Sequence, residues 1–214
     1  MNKHIEHTLL KQDAGKEDLI KLFEEAKEHK FLGVCINPNY IKLAKEHLKD
    51  TDVKIVTVVG FPLGANTAET KVFETIQAIK DGADEIDMVI NVTMVKEKQA
   101  DNIINEIRMI KGACFGHNLK VIIETDLLTK EEIVDACNYA IKGGADFVKT
   151  STGFVKGGVG AKVEDVELMF NTVKDAGLQV KASGGIRDKE TAQAMINAGA
   201  VRLGTSSGVK IVTE

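Results

Sequence analysis

The sequence predicts a (β/α)8 barrel of the TIM type, a closed ring of parallel strands wrapped by helices, and three observations carry the prediction. Apolar runs of strand length alternate with amphipathic helical stretches along all 214 residues, the pattern left by parallel strands joined through crossover helices. A nine-residue phrase is written twice, I-K-D-G-A-D-E-I-D at 79–87 and I-K-G-G-A-D-F-V-K at 141–149, and echoed as I-N-A-G-A-V-R-L-G at 196–204. In both copies a helix tail closes on a glycine, Gly82 or Gly144, and a short apolar strand follows at once. Finally, glycines gather late, in S-G-G at 183–185 and L-G-T-S-S-G at 203–208, where a barrel cradles phosphate on backbone N–H groups. An open doubly wound sheet would instead want G-x-G-x-x-G after an early strand, and the first strands here end in C-I-N-P-N and V-V-G-F-P-L-G.

In chain order, the first strand is expected at 4–8 and the second at 32–36, leading into C-I-N-P-N. The third, at 54–59, leads into V-V-G-F-P-L-G. A helix follows with Val72, Phe73, Ile76 and Ile79 on one face, three and four residues apart. The fourth strand is expected at 85–90, followed by a helix whose face is Ile103, Ile104, Ile107 and Ile110. The fifth, at 120–124, precedes a helix carrying Ile133, Val134, Cys137, Ala140 and Ile141. Strands at 146–149, 179–182 and 201–203 complete the set. No Pro-, Gly- or Ser-rich linker interrupts the pattern, so a single domain over 1–214 is expected.

Composition narrows the function classes. Lys and Arg total 28 against 32 Asp and Glu, and the net charge of −4 gives no whole-chain attraction to nucleic acid or to an anionic membrane. Any anion must be bound locally. No apolar run has the length of a membrane span, and M-N-K-H-I-E-H-T-L-L lacks a signal-peptide hydrophobic region, so a cytoplasmic protein is expected. Cys35, Cys114 and Cys137 form an odd, widely spaced set without C-x-x-C, which reads as reduced thiols rather than disulfides or structural zinc. His4 and His7 sit three apart with no third ligand beside them, and ordinary packing or surface roles are expected.

The chemistry lies at the strand ends. Asp87 and Lys149 occupy the same place in the two copies of the phrase, and Gly204 ends the third. On alternate strands of one barrel, a carboxylate, an amine and a glycine would share one inward layer near the carboxyl ends. Lys181, in Q-V-K-A-S-G-G, sits in a matching place on the strand after Lys149. Two ammonium ions at neighbouring strand mouths repel, so the less solvated of the pair is expected to give up its proton. A neutral amine so produced can attack a carbonyl and form an imine. Asp87 would supply the carboxylate that relays protons. Two plainer readings stay open on these residues: both lysines bind a phosphate, or the three form a structural ion-pair network.

The phrases I-E-H-T-L-L-K, V-C-I-N-P, V-V-G-F-P-L-G, A-D-E-I-D, K-V-I-I-E-T, F-V-K-T-S-T-G-F, E-D-V-E-L-M, K-A-S-G-G-I-R and L-G-T-S-S-G run in order along essentially the whole chain. Together they resemble the deoxyribose-phosphate aldolases, the DeoC family of class I aldolases. The resemblance implies a (β/α)8 barrel and reversible cleavage of 2-deoxy-D-ribose 5-phosphate to D-glyceraldehyde 3-phosphate and acetaldehyde, with no metal or organic cofactor. It implies that Lys149 is the Schiff-base lysine, Lys181 the activating lysine and Asp87 the proton relay. Phosphate-binding turns fall on Gly184 and Gly185 and on Gly204, Ser206 and Ser207, with Gly153 nearby. Arg187 either adds charge to that pocket or faces solvent.

The chain departs from the family pattern in three places. Glu6 stands where the first strand commonly carries Asp, the loop at 156–162 is longer than usual, and the tyrosine-bearing tail of some members has no counterpart, since the tyrosines are Tyr40 and Tyr139. Cys35 is expected as a packed thiol near the barrel mouth, and Glu124 as a supporting residue pairing with one of the lysines. The expected partner is a sugar phosphate, with no nucleic acid or membrane, and a homo-oligomer is compatible with the sequence. A phosphosugar isomerase would leave Lys149 unexplained, and a non-catalytic sugar-phosphate sensor would have no need of a neutral amine.

Overall fold

The computed structural model describes residues Met1–Glu214. Its strands are β1 (Ile5–Leu9), β2 (Gly33–Ile36), β3 (Lys54–Val59), β4 (Glu85–Val89), β5 (Asn118–Ile122), β6 (Phe147–Lys149), β7 (Gln179–Ser183) and β8 (Ala200–Thr205). Each pairs in parallel with the next, and β8 returns to β1 through Ile5↔Leu203, Glu6↔Gly204 and His7↔Thr205, so the sheet is a closed barrel without an edge. All eight expected strands are present. β5 starts and stops two residues earlier than expected, and it stops short of Glu124 because that residue adopts the left-handed conformation (φ 62°, ψ 66°), through which a strand cannot run. β8 is longer than expected and irregular. Val180 faces Ala200 but Lys181 faces Arg202, so Val201 is an extra residue and Arg202 joins the inward set.

Helices fill the crossovers: α1 (Lys16–Glu28), α2 (Ile41–His47), α3 (Ala68–Asp81), α4 (Val92–Lys96), α5 (Ala100–Ala113), α6 (Lys130–Gly143), α7 (Val163–Val173), α8 (Lys189–Asn197) and α9 (Gly208–Thr213). The phrase that repeats in the sequence is a stop signal in the structure. α3 ends at Gly82 (φ 113°) and α6 at Gly144 (φ 81°), both left-handed caps. α6 starts with a capping box, in which Thr129 Oγ1 accepts from the Glu132 amide at 3.2 Å and Glu132 Oε2 from the Thr129 amide at 2.8 Å. No helix is long and apolar enough to cross a membrane.

The two faces of the sheet differ in chemistry. Outward residues such as Ile86, Met88, Ile90, Val121, Ile123, Val148 and Val180 form the main apolar core against the helices. The inward residues alternating with them are largely ionisable. Strand tilt makes the ladder register climb by about one residue per strand, so one layer draws on alternate strands, two residues further along on each. Following the ladders round the ring gives an even-strand layer of Cys35, Asp87, Lys149 and Gly204. Below it, the odd strands contribute Glu6, Val56, Lys120 and Lys181, and a lower even layer holds Gly33, Glu85, Phe147 and Arg202. Asp87, Lys149 and Gly204 thus share a layer as the phrase predicts. Cys35 completes it, packed in a small apolar cluster with Leu10, Val56 and Val58.

Candidate active site

Asp87 is the hub of the barrel interior. Its Oδ2 accepts from Lys149 Nζ at 2.9 Å and from Lys181 Nζ at 2.7 Å, and its Oδ1 accepts from Lys120 Nζ at 3.0 Å. Lys181 also donates to Glu6, and Lys120 lies 2.6 Å from Glu85 Oε2. Arg202 contacts Glu85 at 3.4 Å and Glu6 at 3.7 Å, closing the network at the lower end of the barrel. Asp87, Glu6, Glu85, Lys120, Lys149 and Lys181 are all buried.

Burial alone would neutralise these groups, and their partners prevent it. Burial raises the Asp87 carboxyl, but Lys120, Lys149 and Lys181 outweigh that and hold it well below the ordinary value of 3.8. Burial likewise opposes charge on Lys181 and Lys120, yet Asp87 and Glu6 raise both above the ordinary 10.5. Glu85 is held at about 2, burial being overcome chiefly by Lys120, with Lys54 and Arg202 assisting. The expectation that the less solvated of Lys149 and Lys181 sheds its proton is therefore corrected. Lys181 is the more deeply buried, and two carboxylates keep it an ammonium ion.

Above the network, a cavity of about 310 Å³ opens at the carboxyl ends of the strands. Lys149 lines it, while Asp87, Lys120 and Lys181 are sealed beneath. Gly153, Gly184, Gly185, Gly204 and Ser206 line the same cavity, joined by Thr8, Thr152, Arg187 and Lys11. The glycines at the turns are demanded by close approach. A Cβ on Gly185 (φ 75°) would lie 2.3 Å from Val159 O, and one on Gly204 would lie 3.1 Å from Lys181 Cε. Ser207 is not in the cavity wall, and its amide donates to Thr205 Oγ1 at 2.9 Å. Arg187, left between pocket and solvent by the sequence, does both: it is exposed and lines the cavity.

The long loop at 156–162 leans on the glycine turns. Ala161 N donates to Gly184 O at 3.1 Å, and Asp126 Oδ2 holds the Gly160 amide at 2.8 Å. Glu6 does not reach the cavity; its longer side chain goes into the ion network below. Glu124 pairs with no lysine. It accepts instead from the Thr152 amide and hydroxyl, because the left-handed turn at Glu124 directs it to the segment after β6. His7 contacts Glu25 at 2.9 Å and His4 the Val201 carbonyl at 3.1 Å, so the two histidines serve separate contacts. Burial pushes the Cys35 thiol up, against the pull of Lys181 and Lys149.

Sequence reasoning missed Lys120, and with it the pairing of Glu6 to Lys181. The layer argument applied to the odd strands would have found both, since Glu6, Lys120 and Lys181 fall at inward positions of one layer. Lys11 carries no sequence signal for its place at the cavity rim.

Residues 4–214 match the model of the DeoC/LacD family aldolases. The chain is 57% identical over 211 residues to the deoxyribose-phosphate aldolase of Geobacillus sp. (strain WCH70), with 98% of this chain and 93% of that protein covered. It is 56% identical over 213 residues to the deoxyribose-phosphate aldolase of Clostridium botulinum (strain Langeland / NCTC 10281 / Type F), covering 99% of each. The tetrameric deoxyribose phosphate aldolase structure from Aeropyrum pernix superposes with a TM-score of 0.91 at 32% identity, covering 99% of this chain and 89% of that one.

Proposed function

Because the chain belongs to the DeoC/LacD family of aldolases, we propose that its cavity cleaves and forms 2-deoxy-D-ribose 5-phosphate through an imine on Lys149. The activity is that of a deoxyribose-phosphate aldolase, a carbon–carbon lyase. One observation carries the assignment of the nucleophile: of the three lysines around Asp87, Lys149 alone opens on the cavity.

Charge balance supports it. The buried carboxylates Glu6, Glu85 and Asp87 are matched by Lys120, Lys181 and Arg202, while Lys54, which also touches Glu85, reaches solvent. Lys149 is left over, the one amine of the network that is not needed to match a carboxylate within it. Its Nζ attacks the substrate aldehyde at C1, and water leaves to give the iminium. The C3 hydroxyl gives up its proton as the C2–C3 electron pair moves into the iminium. D-glyceraldehyde 3-phosphate departs, and the enamine is protonated at C2 and hydrolysed to acetaldehyde. Asp87, held as a carboxylate against Lys149 and Lys181, relays protons during imine formation and hydrolysis. Lys181, kept charged by Asp87 and Glu6, places positive charge on the far side of the carboxylate that Lys149 contacts.

The phosphate sits on backbone N–H groups of the Gly184–Gly185 and Gly204–Ser206 turns, with Gly153 beside them and Arg187 and Lys11 at the rim. Ser207 acts indirectly, by fixing the turn into α9. The net charge of −4 and the three buried free cysteines support a cytoplasmic enzyme without a nucleic-acid partner. Exposed Phe73, Ile76 and Met109 on α3 and α5 offer apolar surface for a homo-oligomer, and the Aeropyrum pernix relative is tetrameric.

Borohydride reduction in the presence of 2-deoxyribose 5-phosphate, followed by peptide mapping, tests the reading. A reduced adduct on Lys149 is expected. An adduct on another lysine, or none, overturns it.

A further inference from the structure

Glu124 is a buried carboxylate without a cation. Glu6, Glu85, Asp87, Glu106 and Asp165 are buried too, and each pairs with a lysine. Glu124, only 3% exposed, bonds to Thr152 alone. The backbone accepts strain to hold it there, since φ 62° and ψ 66° lie in the left-handed region that side-chain-bearing residues avoid.

The bonds leave Thr152 in a defined state. Its amide lies 3.2 and 3.3 Å from the two Glu124 oxygens, its hydroxyl donates to Glu124 Oε2, and its Oγ1 accepts from the Phe154 amide at 3.1 Å. A hydroxyl has one proton and two lone pairs, so a single acceptor position remains on Oγ1. Thr152 lines the cavity with Lys149 and the glycine turns.

We propose that Thr152 Oγ1 takes the proton of the substrate C3 hydroxyl in the cleavage step, and that Glu124, acting through Thr152, is the final proton acceptor. The inference rests on the aldolase reading above and supplies the base for carbon–carbon cleavage. The C3 O–H bond breaks and its proton passes to Thr152 Oγ1 as the Thr152 proton passes to Glu124. The C2–C3 electron pair becomes the enamine double bond on Lys149, and the C3 oxygen becomes the carbonyl oxygen of D-glyceraldehyde 3-phosphate. Glu124 goes from carboxylate to carboxylic acid as the iminium goes to neutral enamine. In synthesis each movement reverses.

The surroundings of the two carboxylates suit this division. Burial raises the Glu124 carboxyl above its ordinary value; the Thr152 bonds oppose the rise, Asp126 adds to it and Lys149 opposes it. Asp126 is itself engaged by Lys162 at 3.7 Å. Asp87 is pushed the other way by Lys120, Lys149 and Lys181. Of the two, Glu124 is the group better suited to hold the proton taken from the C3 hydroxyl.

Glu124→Gln and Thr152→Val test the proposal, with Thr152→Ser as the conservative variant. Cleavage is compared with deuterium exchange into acetaldehyde C2 in D2O, a half-reaction that needs imine and enamine but no C3 hydroxyl. In the Gln and Val variants kcat for cleavage is expected to fall about 100-fold with KM little changed. Acetaldehyde exchange and borohydride trapping on Lys149 persist, and Thr152→Ser restores cleavage. Retained cleavage in either variant, or exchange falling in step with cleavage, overturns the proposal. If Glu124→Gln fails to fold, Thr152→Val decides alone. A wild-type protein with neither exchange nor adduct would instead overturn the aldolase reading.

Discussion

Lys149 differs from Lys120 and Lys181 in access rather than in company, since all three donate to Asp87. Lys149→Ala and Lys149→Arg are both expected to abolish cleavage in an otherwise folded barrel, because a guanidinium keeps the charge but supplies no neutral nucleophile. A turnover assay beside a circular-dichroism spectrum checks this. Asp87→Asn leaves Lys149 and Lys181 without their shared carboxylate and is expected to slow cleavage by about 100-fold or more, read in single-turnover kinetics. Lys181→Leu strands Glu6 beside the weaker contacts of Lys120 and Arg202, at 3.6 and 3.7 Å. Removing one partner of a buried pair costs about 3–5 kcal/mol, so urea unfolding should register that loss along with the lost activity. At this scale the sequence was legible wherever the repeated phrase reached. Asp87, Lys149 and Gly204 are phrase ends, whereas Lys120 and Glu6 belong to strands that lack the phrase, and their pairing follows only from barrel closure.

Elements divide the work between two parts of the barrel wall. β4 and β6 carry Asp87 and Lys149, while the segments after β7 and β8 carry the glycine turns that line the cavity. Ser206→Asp puts a carboxylate in the cavity wall at the proposed phosphate site. It is expected to lower kcat/KM for 2-deoxyribose 5-phosphate by about one to two powers of ten, the scale of one charge-assisted hydrogen bond, and to affect unphosphorylated 2-deoxyribose much less. Equal losses on the two substrates would make the turn purely structural. The positions of the strands were readable because apolar runs and glycine stops punctuate the chain. Two local features were not. The end of β5 depends on Glu124 tolerating a left-handed backbone, and the inward turn of Arg202 depends on one extra residue against β7, neither of which leaves a mark in hydrophobic periodicity. The contact of the 156–162 loop with Gly184 was hidden for a different reason, since loop packing follows no period.

The molecule buries a cluster of charge inside its barrel, and its stability should follow pH accordingly. Glu85, lowered from 4.5 to about 2, contributes on the order of 3 kcal/mol that is fully present above the ordinary carboxyl range and lost as pH falls toward 2. Asp87 acts in the same direction. Glu106 and Glu124, raised by burial, run the other way and soften the fall. Lys120 and Lys181 contribute fully below 10.5 and are lost only as pH climbs beyond it. Thermal unfolding against pH should therefore show a decline on the acid side of the carboxyl range and a second one only at strongly alkaline pH. The closed seam has a consequence for biosynthesis. Glu6 leaves the ribosome well before its partner Lys181, which lies 175 residues later. Until the last two strands arrive, Glu6 has only its 3.6 Å contact with Lys120 and Asp87 lacks Lys181, so the dry interior cannot close around them. Folding and activation are thus one event. A nascent or truncated chain without β7 and β8 presents no organised amine to the aldehydes of the cell, and reactivity begins only when the protein is whole.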